Sequence, residues 1–236
     1  MSDPITSPST ELAAEFAKLA PWIFKFRIGN ADYGGNVSAI GDARLPQFFR
    51  YVPHPRTILE LGSLEGAHTF QLAEQTGVER IVAIEGRAAN IRKAELVQRI
   101  VPCPKVEFVQ ANLEETDLRE FGHFDAVFCC GLLYHLPEPW KLLEHLSAVA
   151  PVLFVWTHYA EDLRANEIRH GLRGKVHLEG GPNEPLSGLS EMAFWPTLGS
   201  LVQMLSTSGY KTIQLIQNDA THQNSPAVTL VASVNE

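Results

Sequence analysis

The 236-residue chain has little cysteine: Cys103, Cys129 and Cys130 form no C-x-x-C pair. That excludes a disulfide framework and a cysteine-based zinc site, and leaves Cys129 and Cys130 as small residues of an apolar strand. No apolar run approaches the roughly 18 residues of a membrane-crossing helix. The first ten residues also lack a basic start followed by an apolar core, so the expectation is a soluble, cytoplasmic protein without a membrane partner. Positive charge is short as well. Lys and Arg number 19 against 27 Asp and Glu, a net charge of −8, which disfavours attraction to the phosphates of nucleic acid. There is no internal repeat. With 45% hydrophobic residues the chain suits one domain of α/β size with a full core.

What is present is organised around residues 57–73. TILEL at 57–61 is an apolar run suited to a buried strand, Gly62 breaks it at once, and 66–73 read as the start of a helix. Strand, glycine turn and helix place a ligand site at the carboxyl end of the strand, beside the helix amino-terminus. The glycines then narrow the choice of ligand. A dinucleotide fingerprint carries a middle glycine that lets the backbone approach a pyrophosphate, whereas the spacing here is Gly62, Leu64, Gly66. A phosphate resting on this loop is therefore disfavoured. Glu60, at the strand end, sets a carboxylate at the crevice, which suits a cationic ligand better than an anionic one.

Glu60, Gly62 and Gly66 resemble the first motif of the class I S-adenosylmethionine-dependent methyltransferases, E/D-x-G-x-G-x-G, with Leu64 in place of the middle glycine. In that family the acidic residue helps hold the methionine end of the cofactor. A second strand over 79–85 closes on Glu85 and Gly86, one crossover later, where the two oxygens of a carboxylate can take both hydroxyls of a ribose. A third strand over 106–109 runs into Asn112 and Leu113. The family has an Asp near this point that accepts from the adenine amino group; Asn112 keeps a carbonyl acceptor without the charge, and Leu113 supplies an apolar face. A fourth strand over 124–129 leads through Cys130 and Gly131 into Tyr134 and His135. This stretch, FDAVFCCGLLYHLPEP, is similar to the family's fourth motif, where a Tyr-His or similar pair lies beneath the reactive methyl.

The resemblance covers residues 57–157 well. It implies a doubly wound, Rossmann-like α/β fold: a seven-stranded, mostly parallel sheet with an antiparallel last strand and helices on both faces. It implies S-adenosyl-L-methionine as cofactor, held by Glu60, Gly62, Ser63, Gly66, Glu85, Gly86, Asn112, Leu113, Cys130 and Gly131. Tyr33 and Arg44, ahead of the first strand, would reach its carboxylate.

The rest of the chain is read around this core. Leu12, Phe16 and Leu19 make one face of a short helix, Trp22, Phe24 and Phe26 alternate as in a strand, and 29–43 read as a loop. Helices are expected over 45–51, 90–100, 140–149 and 197–208, and further strands over 152–156, 212–216 and 227–234. Residues 160–192 show no strong period and carry the basic run IRHGLRGKVH, which reads as a substrate lid or a solvated insertion. As a lid, the run points to an anionic group on a small-molecule substrate. The chain thus divides into a cap segment (1–56), a cofactor-binding core (57–159), the lid (160–192) and a C-terminal helix and hairpin (193–236).

Methyl transfer from a sulfonium needs alignment and, for a hydroxyl acceptor, removal of a proton. His135 is the first candidate base and His158 the second, while Tyr134 orients the substrate. No metal is expected, because His158, Asp162, His170 and His177 lack a recognised ligand spacing. The leading expectation is O-methylation of a small molecule. GLLYHLPEPWKLL and FWPTLGSLVQMLSTSGY also resemble the transfer-RNA wobble-uridine carboxymethyltransferase group, and a non-catalytic cofactor-binding module is a third reading.

Overall fold

Alternate aromatic residues give the first strand, and a glycine gives the turn that follows it. The computed structural model describes residues 10–181 and 184–235, so the loose end expected over 1–9 lies outside the described residues. α1 (Thr10–Lys18) buries Phe16, and β1 (Phe24–Ile28) buries Phe24 and Phe26 at alternate positions. Residues 29–43 are not a plain loop. β2 (Ala31–Gly34) pairs antiparallel with β1 and β3 (Val37–Ser38) pairs parallel with it. The cause is local: Ile28 pairs with Ala31, and Gly29 takes the positive φ of +58° that a two-residue hairpin turn requires.

The core follows as α2 (Arg44–Tyr51), β4 (Thr57–Leu61), α3 (Ala67–Ala73), β5 (Arg80–Glu85), α4 (Ala88–Ile100), β6 (Val106–Gln110) and β7 (Ala126–Cys130). The helix expected over 140–149 is divided into α5 (Pro139–Leu143) and α6 (Leu146–Val149), ahead of β8 (Val152–His158). The aperiodic segment is in part a sheet. β9 (Glu167–Arg169), β10 (Leu172–Leu178) and β11 (Met192–Pro196) form three antiparallel strands, followed by α7 (Leu198–Thr207), β12 (Thr212–Asp219) and β13 (Ala227–Ser233). Among the described residues no helix is long and apolar enough to cross a membrane.

The main sheet runs β12-β13-β8-β7-β4-β5-β6. Its five strands from β8 to β6 are parallel, and β13 is antiparallel to both neighbours, as expected of the doubly wound fold. Period-two alternation fills both faces. Leu59, Leu61, Val82, Ile84 and Cys129 pack with residues of α5, α6 and α7, whereas Ile58, Ile81, Ala83 and Phe128 pack with residues of α2 and α3. Burial on both sides is why these strands read as continuous apolar runs. β4 pairs with β5 on one side and β7 on the other, so the strand order reverses there. The crevice beyond their carboxyl ends is the place where such sheets bind ligands.

The turn after β4 has positive φ at alternate residues: Gly62 (+78°), Leu64 (+51°) and Gly66 (+81°). Leu64 thus holds a left-handed conformation at the position where the resembled motif has its middle glycine. A Cβ on Gly66 would also lie 2.8 Å from the Phe108 ring. Gly66→Ala is expected to cost roughly 1–2 kcal/mol from the left-handed backbone alone. Thermal unfolding should fall by at least about 2–4 °C for each of those kcal/mol. An unchanged Tm would show that the turn can relax.

Candidate active site

A cavity of about 300 Å³ opens at the strand ends. Gly62, Ser63 and Leu64 line it after β4, Glu85 and Gly86 after β5, Asn112 and Leu113 after β6, and Cys130 and Gly131 after β7. Arg44, Tyr134, His135 and Trp156 form further wall, and residues 185–189 lie across it from the far segment. Eleven of the residues singled out from the sequence therefore meet here: Arg44, Gly62, Ser63, Glu85, Gly86, Asn112, Leu113, Cys130, Gly131, Tyr134 and His135.

Glu85 binds the turn to its own strand end. Its carboxylate accepts from Leu64 N at 3.0 Å, Arg87 N at 2.7 Å and Asn90 Nδ2 at 3.3 Å. Burial pushes its carboxyl up from the ordinary value against these hydrogen bonds. Since two carboxylate oxygens offer about four acceptor sites, room for a ligand hydroxyl remains. Ser63 is buried, and its hydroxyl has no hydrogen-bond partner among the described residues. An orphaned buried hydroxyl on a cavity wall fits a site built for a polar ligand. Asn112 Oδ1 accepts from Glu114 N at 3.1 Å, so any ligand donor would share that oxygen.

Four of the singled-out residues stand away from the cavity wall. Tyr33 packs 5.1 Å from the Phe16 ring, in an aromatic cluster with Trp22 and Phe26, because β2 turns it toward α1. Gly66 sits behind the turn, against Phe108. Glu60 is buried, accepts from Thr69 Oγ1, and is pushed up to about 7 by that burial. Its carboxylate braces α3 against β4. His158 lies behind Tyr134, with ring centroids 4.6 Å apart and Nδ1 3.0 Å from the Ser225 carbonyl oxygen.

At the mouth, Arg44 makes a bidentate pair with Asp42, and His68 Nε2 lies 2.9 Å from the same carboxylate. Burial alone would raise Asp42, but hydrogen bonds from His68 and Arg44 outweigh it and hold the carboxyl far below the usual range. The Arg44 guanidinium also lies 4.9 Å above the Trp156 ring. Burial pushes the Tyr134 phenol up to about 12, so it remains a donor. His135 lines the cavity, and its Nδ1 lies 3.0 Å from Glu179 Oε2. Burial lowers its pKa, and Glu179 opposes that.

The sequence did not point to Glu179, Arg87 or His68. Arg87 directly follows two chosen residues and was the most accessible of the three; its Nη2 donates to Ser187 O at 2.7 Å and Gly188 O at 2.9 Å. Ser190 Oγ reaches Glu114 at 3.0 Å. These contacts pin residues 187–190 over the cavity as a strap. Arg169, Arg173 and Lys175 of the basic run do not line the cavity: Arg173 bonds the Asp162 and Ala165 carbonyls, and Lys175 lies over Trp195. Among the described residues no three His, Cys, Asp or Glu side chains meet in a group that could hold a metal.

A family model described as "Methyltransferase domain" matches residues 59–150. The chain is 24% identical over 173 residues to the tRNA U34 carboxymethyltransferase of Campylobacter jejuni subsp. jejuni, covering 72% of this chain and 54% of that protein. The chain thus spans about half the length of the curated relatives it matches. Among solved structures, the N-terminal domain of EvdMO1, crystallised in the presence of SAH and D-fucose, is 32% identical. It covers 98% of both chains with a TM-score of 0.88. The methyltransferase domain of bacterial CtHen1-C shares the fold at 18% identity, with a TM-score of 0.56 over 82% of this chain and 97% of that one.

Proposed function

Because this chain belongs to the class I S-adenosylmethionine-dependent methyltransferases, we propose that it methylates a hydroxyl group of a small, sugar-like acceptor, with His135 as the base. The observation that carries this reading is the position of His135 in the same cavity as Gly62, Ser63 and Glu85. Donor and acceptor would then meet in one cavity. The cofactor brings a methyl group already activated on a sulfonium, so the protein has to align the reactants and take the hydroxyl proton.

In this reading Glu85 accepts from the ribose, Ser63 supplies the free hydroxyl, and Gly62, Gly86, Cys130 and Gly131 form the close walls. Asn112 and Leu113 take the adenine. Arg44 faces the carboxylate end of the cofactor, although Asp42 already neutralises much of its charge. Glu60 acts through the packing of α3. Tyr33 and Gly66 shape the fold around the site without touching the ligand. The strap keeps water out once both ligands are in place.

The acceptor class rests on two supports. The EvdMO1 domain, similar over almost its whole length, was crystallised in the presence of SAH and D-fucose. Tyr134 and Trp156 line the cavity beside polar side chains, a combination that suits a ring carrying both CH and OH faces. The relatives named for tRNA modification favour a second reading, a nucleic-acid acceptor. The net charge of −8 opposes it. Incubation with a labelled methyl donor and, in parallel, D-fucose, related hexoses and bulk tRNA separates the two. Label on a sugar oxygen is expected; label on tRNA alone would overturn the proposal.

A further inference from the structure

We infer that Glu179 is the residue that orients His135 as a base, and that it does so from the end of β10, its carboxylate held by Ser187 and Gly188 of the strap. This rests on the assignment of His135 above. The Glu179 side chain is only 3% exposed. Its Oε2 lies 3.0 Å from His135 Nδ1 and accepts from Ser187 Oγ at 2.9 Å and from Gly188 N at 2.6 Å. Oε1 lies 3.2 Å from the same imidazole nitrogen. One buried carboxylate thus ties β10's end, the strap and the loop after β7 to a single point.

The tautomer follows from the inventory of donors. A carboxylate only accepts, so Nδ1 must carry the proton, and the neutral ring keeps its lone pair on Nε2. Nε2 has no hydrogen-bond partner among the described residues, and His135 lines the cavity. It is the nitrogen left for the acceptor. The hydroxyl proton passes to Nε2, and the resulting imidazolium lies beside the negative carboxylate, which stabilises it as the buried Asp does in a Ser-His-Asp triad. The groups facing the ring are Glu179, His177, His158, Arg87 and Tyr134. Of these only Glu179 favours the charged ring.

The contact can be read without an acceptor. In the full chain with SAH added and its histidines labelled with ¹⁵N, comparison with His135→Gln assigns the His135 ring signals. Wild type should show the neutral ring as the Nδ1–H tautomer. Glu179→Gln offers one acceptor oxygen for three donors, so that tautomer should be lost and the ring should titrate at lower pH, because the raising influence of the carboxylate is gone. Glu179→Asp, which keeps the charge, should retain the tautomer and serves if the Gln variant fails to fold. Turnover of Glu179→Gln should drop by roughly 10²-fold or more, toward the ~10⁴-fold loss known for an orienting carboxylate. A purely structural role would change the affinity for ligands without moving the tautomer. The same tautomer and titration in Glu179→Gln would overturn the inference. Loss of the tautomer together with wild-type turnover in His135→Gln would instead remove the base assignment, and the role of Glu179 with it.

Discussion

His135→Ala is expected to lower turnover by about 10²–10⁴-fold while leaving cofactor affinity within a few fold. A hydroxyl is a weak nucleophile at neutral pH, and His135 lines the cavity with an Nε2 that has no hydrogen-bond partner among the described residues. Tyr134 stays protonated, its phenol pushed up to about 12. His158 stands one ring further back and bonds the Ser225 carbonyl. The pH dependence follows from the direction of the shift. Burial lowers the pKa of His135 below its ordinary value, with Glu179 in opposition, so the ring is neutral at pH 7 and able to take a proton. The activity is therefore fully present above the ordinary imidazole range and is lost as pH falls through the lowered pKa. His135→Gln keeps a hydrogen-bonding group that cannot take the proton, and should lose both the rate and this acid limb. Wild-type turnover by His135→Gln across the pH range would make His135 a positioning residue and pass the test to His158.

The second large effect is expected at Glu85. Glu85→Ala should weaken S-adenosylmethionine binding by about 1–3 kcal/mol, the scale of losing charge-assisted hydrogen bonds. Calorimetry measures it directly. The structure adds a complication, because the same carboxylate accepts from Leu64 N and Arg87 N, and its loss removes the acceptor of both backbone donors. A 2′-deoxy analogue of the cofactor separates the two contributions. It should bind wild type more weakly than SAH does, yet show no such difference in Glu85→Ala, since the hydroxyl and the carboxylate are partners in one cycle. A deoxy penalty of equal size in both proteins would reject the ribose role and leave Glu85 as a brace of the loop. Burial raises the Glu85 carboxyl, so the charged form, and with it cofactor affinity, should begin to fail at higher pH on acidification than for an exposed glutamate.

The central strands β4, β5, β7 and β8 were readable along the chain because each is a short apolar run, and burial on both faces leaves that pattern intact. β4 begins and ends where the TILEL run does. The placement of Glu85 and His135 at the cavity was also legible, since Glu85 closes β5 and His135 lies on the short loop that leaves β7. Residues 29–43 were not, because small polar residues become strands only when β1 is there to pair with them. Tyr33 was placed at the cofactor for want of any local sign that Phe16 and Trp22 would enclose it.

The sequence by itself thus determined the central strands, the glycine turn and the residues that close those strands, all properties carried within about ten consecutive residues. Tertiary structure alone decided that Glu179 meets His135 across 44 positions, that Arg87 holds the strap 100 residues away, and that Glu60 turns inward to Thr69. Periodicity and propensity are short-range signals. A hydrogen bond between distant segments leaves no mark on either segment's local pattern, because what selects its two partners is the packing of the elements that bring them together.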